Sequence, residues 1–253
     1  MADDKLVKLA VLIDADNAQP SMASVLLAEI AKYGTAFVKR AYGDWTGNNL
    51  KGWKDQLLEN SIQPIQQFSY TYGKNSTDAA MVIDAMDLLY TNRFGGFCLV
   101  SSDSDFTRLA SRIRESGLAV YGFGQRRAPK ALVTACDKFI YIENLSPPRA
   151  DFAPELAVRT LKGSVPAKKP VPESTRSLIR EAIEAKSDDE GWANLADVGV
   201  LIIKWQPDFD ARSFGFLKLS HMIRAEPSLE VTKRLPAEGK PPVVYIRDRH
   251  LSK

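Results

Sequence analysis

The stretch "LVKLAVLI" (6–13) is apolar at nearly every position. It is too short for a typical helix and reads as a strand buried on both faces. Comparable runs recur in "TAFVKRAY" (35–42), "IQPIQQF" (62–68), "GFCLVS" (96–101), "LAVYGFG" (118–124) and "KFIYIE" (138–143). Between them the apolar spacing lengthens to three or four residues, the period of an amphipathic helix. It does so in "SMASVLLAEIAKYG" (21–34), "NNLKGWKDQLLENS" (48–61), "DAAMVIDAMDLLYTN" (78–92), "FTRLASRIRESG" (106–117) and "KALVTAC" (130–136). Gly34 and Gly117 follow two of these helices where a C-cap glycine belongs. Strand and helix thus alternate, which predicts an α/β fold: a mainly parallel sheet with helices on both faces. Ligands of such sheets bind in the crevice outside the carboxyl ends of the strands.

The pattern changes near residue 146. Residues 146–172 hold 6 of the 14 prolines, a density expected of a linker, with "PELAVRTLK" as a possible short helix inside it. Beyond it come short helices: "STRSLIREAIEAK", with Leu178, Ile179, Ala182 and Ile183 in one stripe, then "NLADVGVLIIKWQPDFD" and "ARSFGFLKLSHMIRAE". Asp210 is the expected N-cap of the last. "LEVTKRL" and "PPVVYIR" read as two strands joined by "PAEGK". Three helices followed by a hairpin describe a small winged-helix domain. The expected division is 1–145, a linker at 146–172, and 173–253.

Composition narrows the class without naming it. Apolar residues make up 45% and charged residues 26% of the chain, ordinary for a globular protein. No apolar run approaches the roughly 20 residues of a membrane span. The acidic start "MADDKLVK" with no small-residue cleavage site predicts no signal peptide. Two cysteines, Cys98 and Cys136, in apolar segments argue against a disulfide framework and fit a reducing cytoplasm. The net charge is +3, and the whole excess falls within 147–172. Any affinity for nucleic acid must therefore come from local clusters.

Acidic residues collect where strands hand over to helices. "VLIDADN" (11–17) places Asp14, Asp16 and Asn17 after the first strand; "LVSSDSDF" (99–106) places Asp103 and Asp105 after the fourth. Asp78 opens the helix of "GKNSTDAAMVIDAM", beside Ser76 and Thr77. In a parallel sheet these positions share one edge. Each taken singly would also serve as a helix N-cap, but three segments converging on one edge bring repelling carboxylates together. A hard divalent cation such as Mg²⁺ or Mn²⁺ relieves that repulsion, and Asn17 adds an amide oxygen. Asp84, six positions beyond Asp78, is turned about 120° away on a helix and reads as a polar-face or supporting residue. Asp87 reads as solvated surface. Ser101 and Ser102 are placed to meet a phosphate or simply to end the strand.

"VLIDADN", "GKNSTDAAMVIDAM", "LVSSDSDF" and "GFGQRRAPKALVTACDKFIYIENL", in that order over residues 6–145, resemble the NYN domain, the LabA-like branch of the PIN-like nucleases. The resemblance implies a metal-dependent ribonuclease, an endonuclease by preference, using Mg²⁺ or Mn²⁺. Asp14, Asp78 and Asp103 match the acidic core, with Asn17 and Asp105 as flanking ligands. "GWANLADVGVLIIKWQPDFDARSFGFLKLSHMIRAEPSLEV" (191–231) resembles the OST-HTH, or LOTUS, domain. That resemblance implies RNA, single-stranded by expectation, and in some cases a protein, as partner. Two alternatives remain. One is an RNA-binding adaptor without turnover. The other is a haloacid-dehalogenase-like phosphatase, with Asp14 as nucleophile and Asp16 as acid/base, although Asn17-Ala18-Gln19 departs from that pattern.

Cationic and aromatic residues complete the candidate list. "GQRRAPKA" offers Arg126, Arg127 and Lys130 at a helix start, where guanidinium groups and backbone N–H groups favour phosphate. Lys74 precedes Asp78 by four positions, in the polar stretch "FSYTYGKNS" expected to line a substrate groove. "GDWTGNNLKGWK" (43–54) carries Lys51 and Lys54, Trp45 as a base-stacking candidate and Trp53 as an expected core residue. In the second module Lys204, Arg212, Lys218, Lys233 and Arg234 are candidates for phosphate contact, which gives affinity without reading sequence. His221 is expected as a structural partner.

Overall fold

The computed structural model describes residues 7–68, 76–145, 170–235 and 242–249. They belong to two compact units, Met1–Pro154 and Glu155–Lys253. The expected linker lies outside the described residues except for Pro170, Val171 and Pro172, and its "PELAVRTLK" helix lies wholly outside them.

Six strands build the first unit: β1 (Lys8–Asp14), β2 (Thr35–Gly43), β3 (Gln63–Gln66), β4 (Gly96–Val100), β5 (Ala119–Gly124) and β6 (Lys138–Tyr141). They form one sheet in the order β3-β2-β1-β4-β5-β6, parallel at every pairing. The helices are α1 (Ala23–Ile30), α2 (Trp53–Glu59), α3 (Ser76–Tyr90), α4 (Thr107–Glu115) and α5 (Lys130–Ala135). The continuous apolar run of β1 is explained by burial on both faces. Ala10 and Leu12 pack with Met81 and Ala85 of α3, Leu109 and Ile113 of α4, and Leu132 of α5. Leu9, Val11 and Ile13 pack on the opposite face with Leu26 and Ile30 of α1 and Trp53 of α2. Fully burying a side chain of this size contributes about 1.5–3 kcal/mol, so the two central strands anchor both layers. Strand β3 closes one end of the sheet, where Pro64 lacks no needed donor.

The two helix-terminal glycines differ. Gly117 has φ +81° with open space around it, the left-handed C-cap the sequence predicts. Gly34 is absent from the residues with positive φ. It is needed for space: a Cβ there would lie 2.3 Å from the Val7 carbonyl oxygen.

In the second unit, α6 (Glu173–Glu184) and α7 (Leu195–Trp205) match the expected helices, and β8 (Leu229–Arg234) pairs antiparallel with β9 (Val243–Asp248). A short strand β7 (Ala193–Asn194), not foreseen from its two-residue length, adds to the other side of β9. The helix expected over 211–226 is divided. Asp210 caps only the 3-10 turn Ala211–Phe214, accepting from the Arg212 N–H, and Gly215 at φ 82° ends it. The chain resumes as α8 (Leu219–Arg224). Ile179, Ile183, Val198, Ile202, Met222, Ile223 and Ile246 form the core. Among the described residues no helix is long and apolar enough to cross a membrane.

Because the Gly34 clash is with backbone, Gly34→Ala is expected to destabilise the protein by about 2 kcal/mol. Gly117→Ala meets only the conformational penalty of about 1 kcal/mol. Urea denaturation of both variants checks the order.

Candidate active site

The strand order reverses between β1 and β4. From β1 the chain builds outward to β2 and β3; from β4 it builds the other way to β5 and β6. At such a switch point the connections leave in opposite directions and open a crevice at the carboxyl ends. Asp14 is the last residue of β1. By strand alternation it shares the face of Ala10 and Leu12, the face covered by α3. Ser101 follows β4 on the same face. Its hydroxyl donates to Asp14 Oδ2 at 2.7 Å and accepts from the Asp103 N–H at 3.0 Å. One hydroxyl thus joins the two acidic segments. Asn17 donates through Nδ2 to Asp14 Oδ2 at 2.8 Å and through its backbone N–H to Oδ1 at 3.3 Å.

Asp14 is only 1% exposed. Burial pushes its pKa above the ordinary carboxylate value, opposed by the hydrogen bonds from Ser101 and Asn17. Asp103 caps the 3-10 turn Ser104–Phe106, accepting from the Asp105 N–H at 3.0 Å. It is both a cap and a member of the acidic edge. Asp78 stands in the first turn of α3. Burial first, then repulsion from Asp14, Asp103, Asp105 and Asp16, pushes its pKa up to about 6. Asp78 thus feels the charges of the other four carboxylates.

This set is chemically suited to Mg²⁺ or Mn²⁺, being hard, anionic and self-repelling. Among the described residues no three of the carboxylates converge as ligands of a single ion. Asp14 and Asp103 are instead committed to protein donors, so ligation would require the side chains to draw together.

A supporting layer lies beneath. Asp84 of α3 accepts hydrogen bonds from Arg40 and from the wholly buried Tyr42, both on β2. Tyr42 pairs in register with Asp14. Burial first, then Asp84, pushes the Tyr42 phenol well above its usual range. Asp84 therefore ties the helix carrying Asp78 to the strand beside Asp14.

A family model, the NYN domain, matches residues 8–143. The chain belongs to the NYN domain family. A second model, the OST-HTH/LOTUS domain, matches residues 169–240, in the order the sequence motifs predict. The NYN domain implies a PIN-like nuclease fold, its members being generally nucleases, and the OST-HTH/LOTUS domain is an RNA-binding module. This membership sets aside the haloacid-dehalogenase-like alternative. No curated protein matches the chain. A solved protein of unknown function from Vibrio parahaemolyticus is 19% identical, with 56% of this chain and 96% of that one covered and a TM-score of 0.48. An uncharacterized protein from Nitrosomonas europaea is 31% identical, with 40% and 90% covered and a TM-score of 0.30. A protein from Chromobacterium violaceum is 32% identical, with 33% and 88% covered and a TM-score of 0.26.

In the NYN domain the basic turn after β5 sits on the acidic edge's flank. The Gln125 N–H donates to Ser102 Oγ at 2.7 Å, joining the exits of β4 and β5. Both serine hydroxyls are thus engaged by protein groups. Arg126 is exposed, donates to Asn144 Oδ1 at 2.7 Å and lies 5.2 Å from the Tyr141 ring. Arg127 and Lys130 are exposed. Lys74 and most of "FSYTYGKNS" lie outside the described residues. Trp53 is core, 1% exposed, and Trp45 is half-buried, its ring N–H donating to the Ile65 carbonyl at 2.9 Å.

In the OST-HTH/LOTUS domain Lys204, Lys218 and Lys233 are exposed. Arg212 is held by Asp210 at 2.6 Å. Arg234 lies 5.2 Å from the Trp192 ring and 4.8 Å from the Tyr245 ring, within 3.5 Å of Asp188. His221 is exposed in the last turn of α8, not packed inside as its apolar neighbours suggest.

The Asp78 pKa of about 6 lies above its ordinary 3.8. Between those values the folded state binds more protons than the unfolded one, so this group lowers stability as pH rises through that window. Asp78→Asn is therefore expected to be more stable than the native chain near neutral pH. The gain is about 1 kcal/mol once solvent screening is allowed for, and it vanishes below about pH 4. Urea unfolding across this range reads it directly.

Proposed function

We propose that the chain is a Mg²⁺- or Mn²⁺-dependent ribonuclease that cuts single-stranded RNA internally, with the OST-HTH/LOTUS domain capturing the RNA. The observation that carries this reading is the Ser101 bridge between Asp14 and the Asp103 segment at the β1/β4 switch point, with Asp78 delivered to the same edge by α3. Asp14, Asp78 and Asp103 would hold the cation, with Asp105 and Asn17 as flanking donors. When bound, it supplies charge neutralisation of the scissile phosphate and a lowered pKa for a bound water.

The chain's own groups prepare that chemistry. Ser101 and Asn17 fix the orientation of Asp14, and the Asp103 cap fixes the start of the following turn. Arg126, Arg127 and Lys130 bind flanking phosphates. Water adds to phosphorus and loses a proton as the bond to the 3′-oxygen breaks. The 3′-oxygen gains a proton, leaving 5′-phosphate and 3′-hydroxyl ends. Capture by the second domain raises the effective concentration of RNA at the edge.

Full-length protein with labelled single-stranded RNA is expected to cleave in Mn²⁺ or Mg²⁺ and not in EDTA. Asp103→Asn is expected to lower the rate by about a hundredfold or more. Cleavage that persists in EDTA or in the variant would sink the proposal. The lack of a ready-made carboxylate trio among the described residues favours a second reading, an RNA-binding adaptor, which bound but uncut RNA would support. The cation also has a readout without turnover: Mn²⁺ should raise the melting temperature near neutral pH, and the rise should shrink below pH of about 6 as Asp78 protonates.

A further inference from the structure

A second feature reaches the carboxyl edge from the other side. An open groove of about 670 Å³ runs between α2 and the edge strand β3. Trp45, Leu50, Leu57, Leu58, Ile62 and Pro64 line it, with Lys51 and Lys54. Leu58 is 73% exposed, both lysines are exposed, and no carboxylate is among the described lining residues. The Trp45 ring is held by its bond to the Ile65 carbonyl, and the Gln66 side-chain oxygen accepts from the Trp45 backbone N–H at 3.0 Å.

The groove reaches the carboxyl end of β2 on the sheet face covered by α1 and α2, opposite the face that Asp14 shares with α3. Leu50 and Asp16 both flank Gly43, the last residue of β2: a Cβ there would meet Leu50 Cδ1 at 2.5 Å and Asp16 Oδ1 at 3.5 Å. β2 is the immediate neighbour of β1, so Gly43 stands about one strand spacing, roughly 5 Å, from the Asp14 strand. The basic turn at Arg126–Lys130 follows β5, two strands from β1 on the opposite side. Cations therefore bracket a central run of carboxylates. A polyanion whose middle is held by the acidic edge needs positive charge on both sides, and here it is present on both.

We propose that this groove is a subsite for an unpaired nucleotide of the RNA, its base stacked on Trp45 against the apolar wall and its phosphates met by Lys51 and Lys54. The inference rests on RNA being the ligand of the acidic edge. Aromatic stacking accepts any base, because every base has a π face. The lysines add affinity without sequence preference. The subsite would hold the strand in place beside the carboxylates and would favour single strands over duplexes, since a paired base cannot enter.

The test uses the full chain carrying Asp103→Asn, with Mg²⁺, and short oligouridine RNAs each bearing one 2-aminopurine at a different position. Binding is expected to quench the fluorescence of one or two adjacent positions. Trp45→Leu should restore that fluorescence and weaken binding about tenfold, and Trp45→Phe should keep part of the quenching. Lys51→Ala with Lys54→Ala, both on the surface and neutral to folding, should lower the slope of log affinity against log salt by about 1.4. Unchanged quenching in Trp45→Leu together with an unchanged salt slope in the lysine pair overturns the subsite. A monomer–dimer equilibrium abolished by Leu58→Glu, with RNA binding intact, also overturns it and assigns the groove to a second copy of the chain. Trp45-dependent quenching with no cleavage by the native chain leaves the subsite standing and removes the nuclease reading. Cleavage without Trp45-dependent quenching does the reverse.

Discussion

The central pairing of β1 with β4 is the constraint on which the rest depends. Both strands are buried on both faces, and their register brings Ile13 beside Val100. The next residue of each chain, Asp14 and Ser101, must then emerge together at the edge of a dry core. A carboxylate in that position loses hydration and needs hydrogen-bond donors. Ser101 and Asn17 supply them, and in doing so they fix where the chain turns after each strand. The acidic edge is thus a consequence of strand register more than of loop conformation, since its first carboxylate ends a fully buried strand.

The third segment arrives by a different device. α3 is anchored along its length by Met81, Ala85 and Leu89 in the core, but apolar packing alone allows sliding along a sheet. The Arg40–Asp84–Tyr42 cluster is directional. Asp84 is accessible over 23% of its side chain and Arg40 over 25%, so the pair is partly desolvated and depends on its geometry. Removing Asp84 would leave a half-buried guanidinium and a fully buried phenol without their acceptor, the costly kind of loss. Asp84 lies six positions beyond Asp78 on α3, so its bonds to β2 set the height at which Asp78 meets the edge.

Much of this was legible in the chain itself. Nearly unbroken apolar runs marked the central strands β1 and β4, because a parallel strand covered on both faces has no polar side to alternate; the outer strands β2 and β3 showed as shorter, mixed runs. The motifs at Asp14, Asp78 and Asp103 stood out because carboxylates cluster at strand-to-helix turns. What pattern could not show was pairing across distance. Ser101 reads as an ordinary strand end until Asp14 is set beside it, and Asp84 reads as polar surface until Tyr42 and Arg40 face it. Gly34 departs from its expected role for a related reason. Helix position suggests a left-handed cap, whereas the decisive contact comes from Val7, distant in sequence. The helix expected over 211–226 was divided by Gly215, whose positive φ local apolar spacing does not reveal.

The charge distribution then separates two demands that net charge conceals. The acidic edge gathers like charges around the buried Asp14, and the raised pKa of Asp78, from burial and that repulsion, is the mark of the conflict. Nothing in the folding of the sheet requires it: an uncharged cap at any of these turns would relieve the repulsion. Among the described residues cations stand at both ends of the edge and not within it, which leaves the conflict unresolved at the centre. An edge built this way gains most from a ligand that brings positive charge to the middle and negative charge to the ends. A divalent cation together with a phosphodiester strand has that distribution, which neither component has alone.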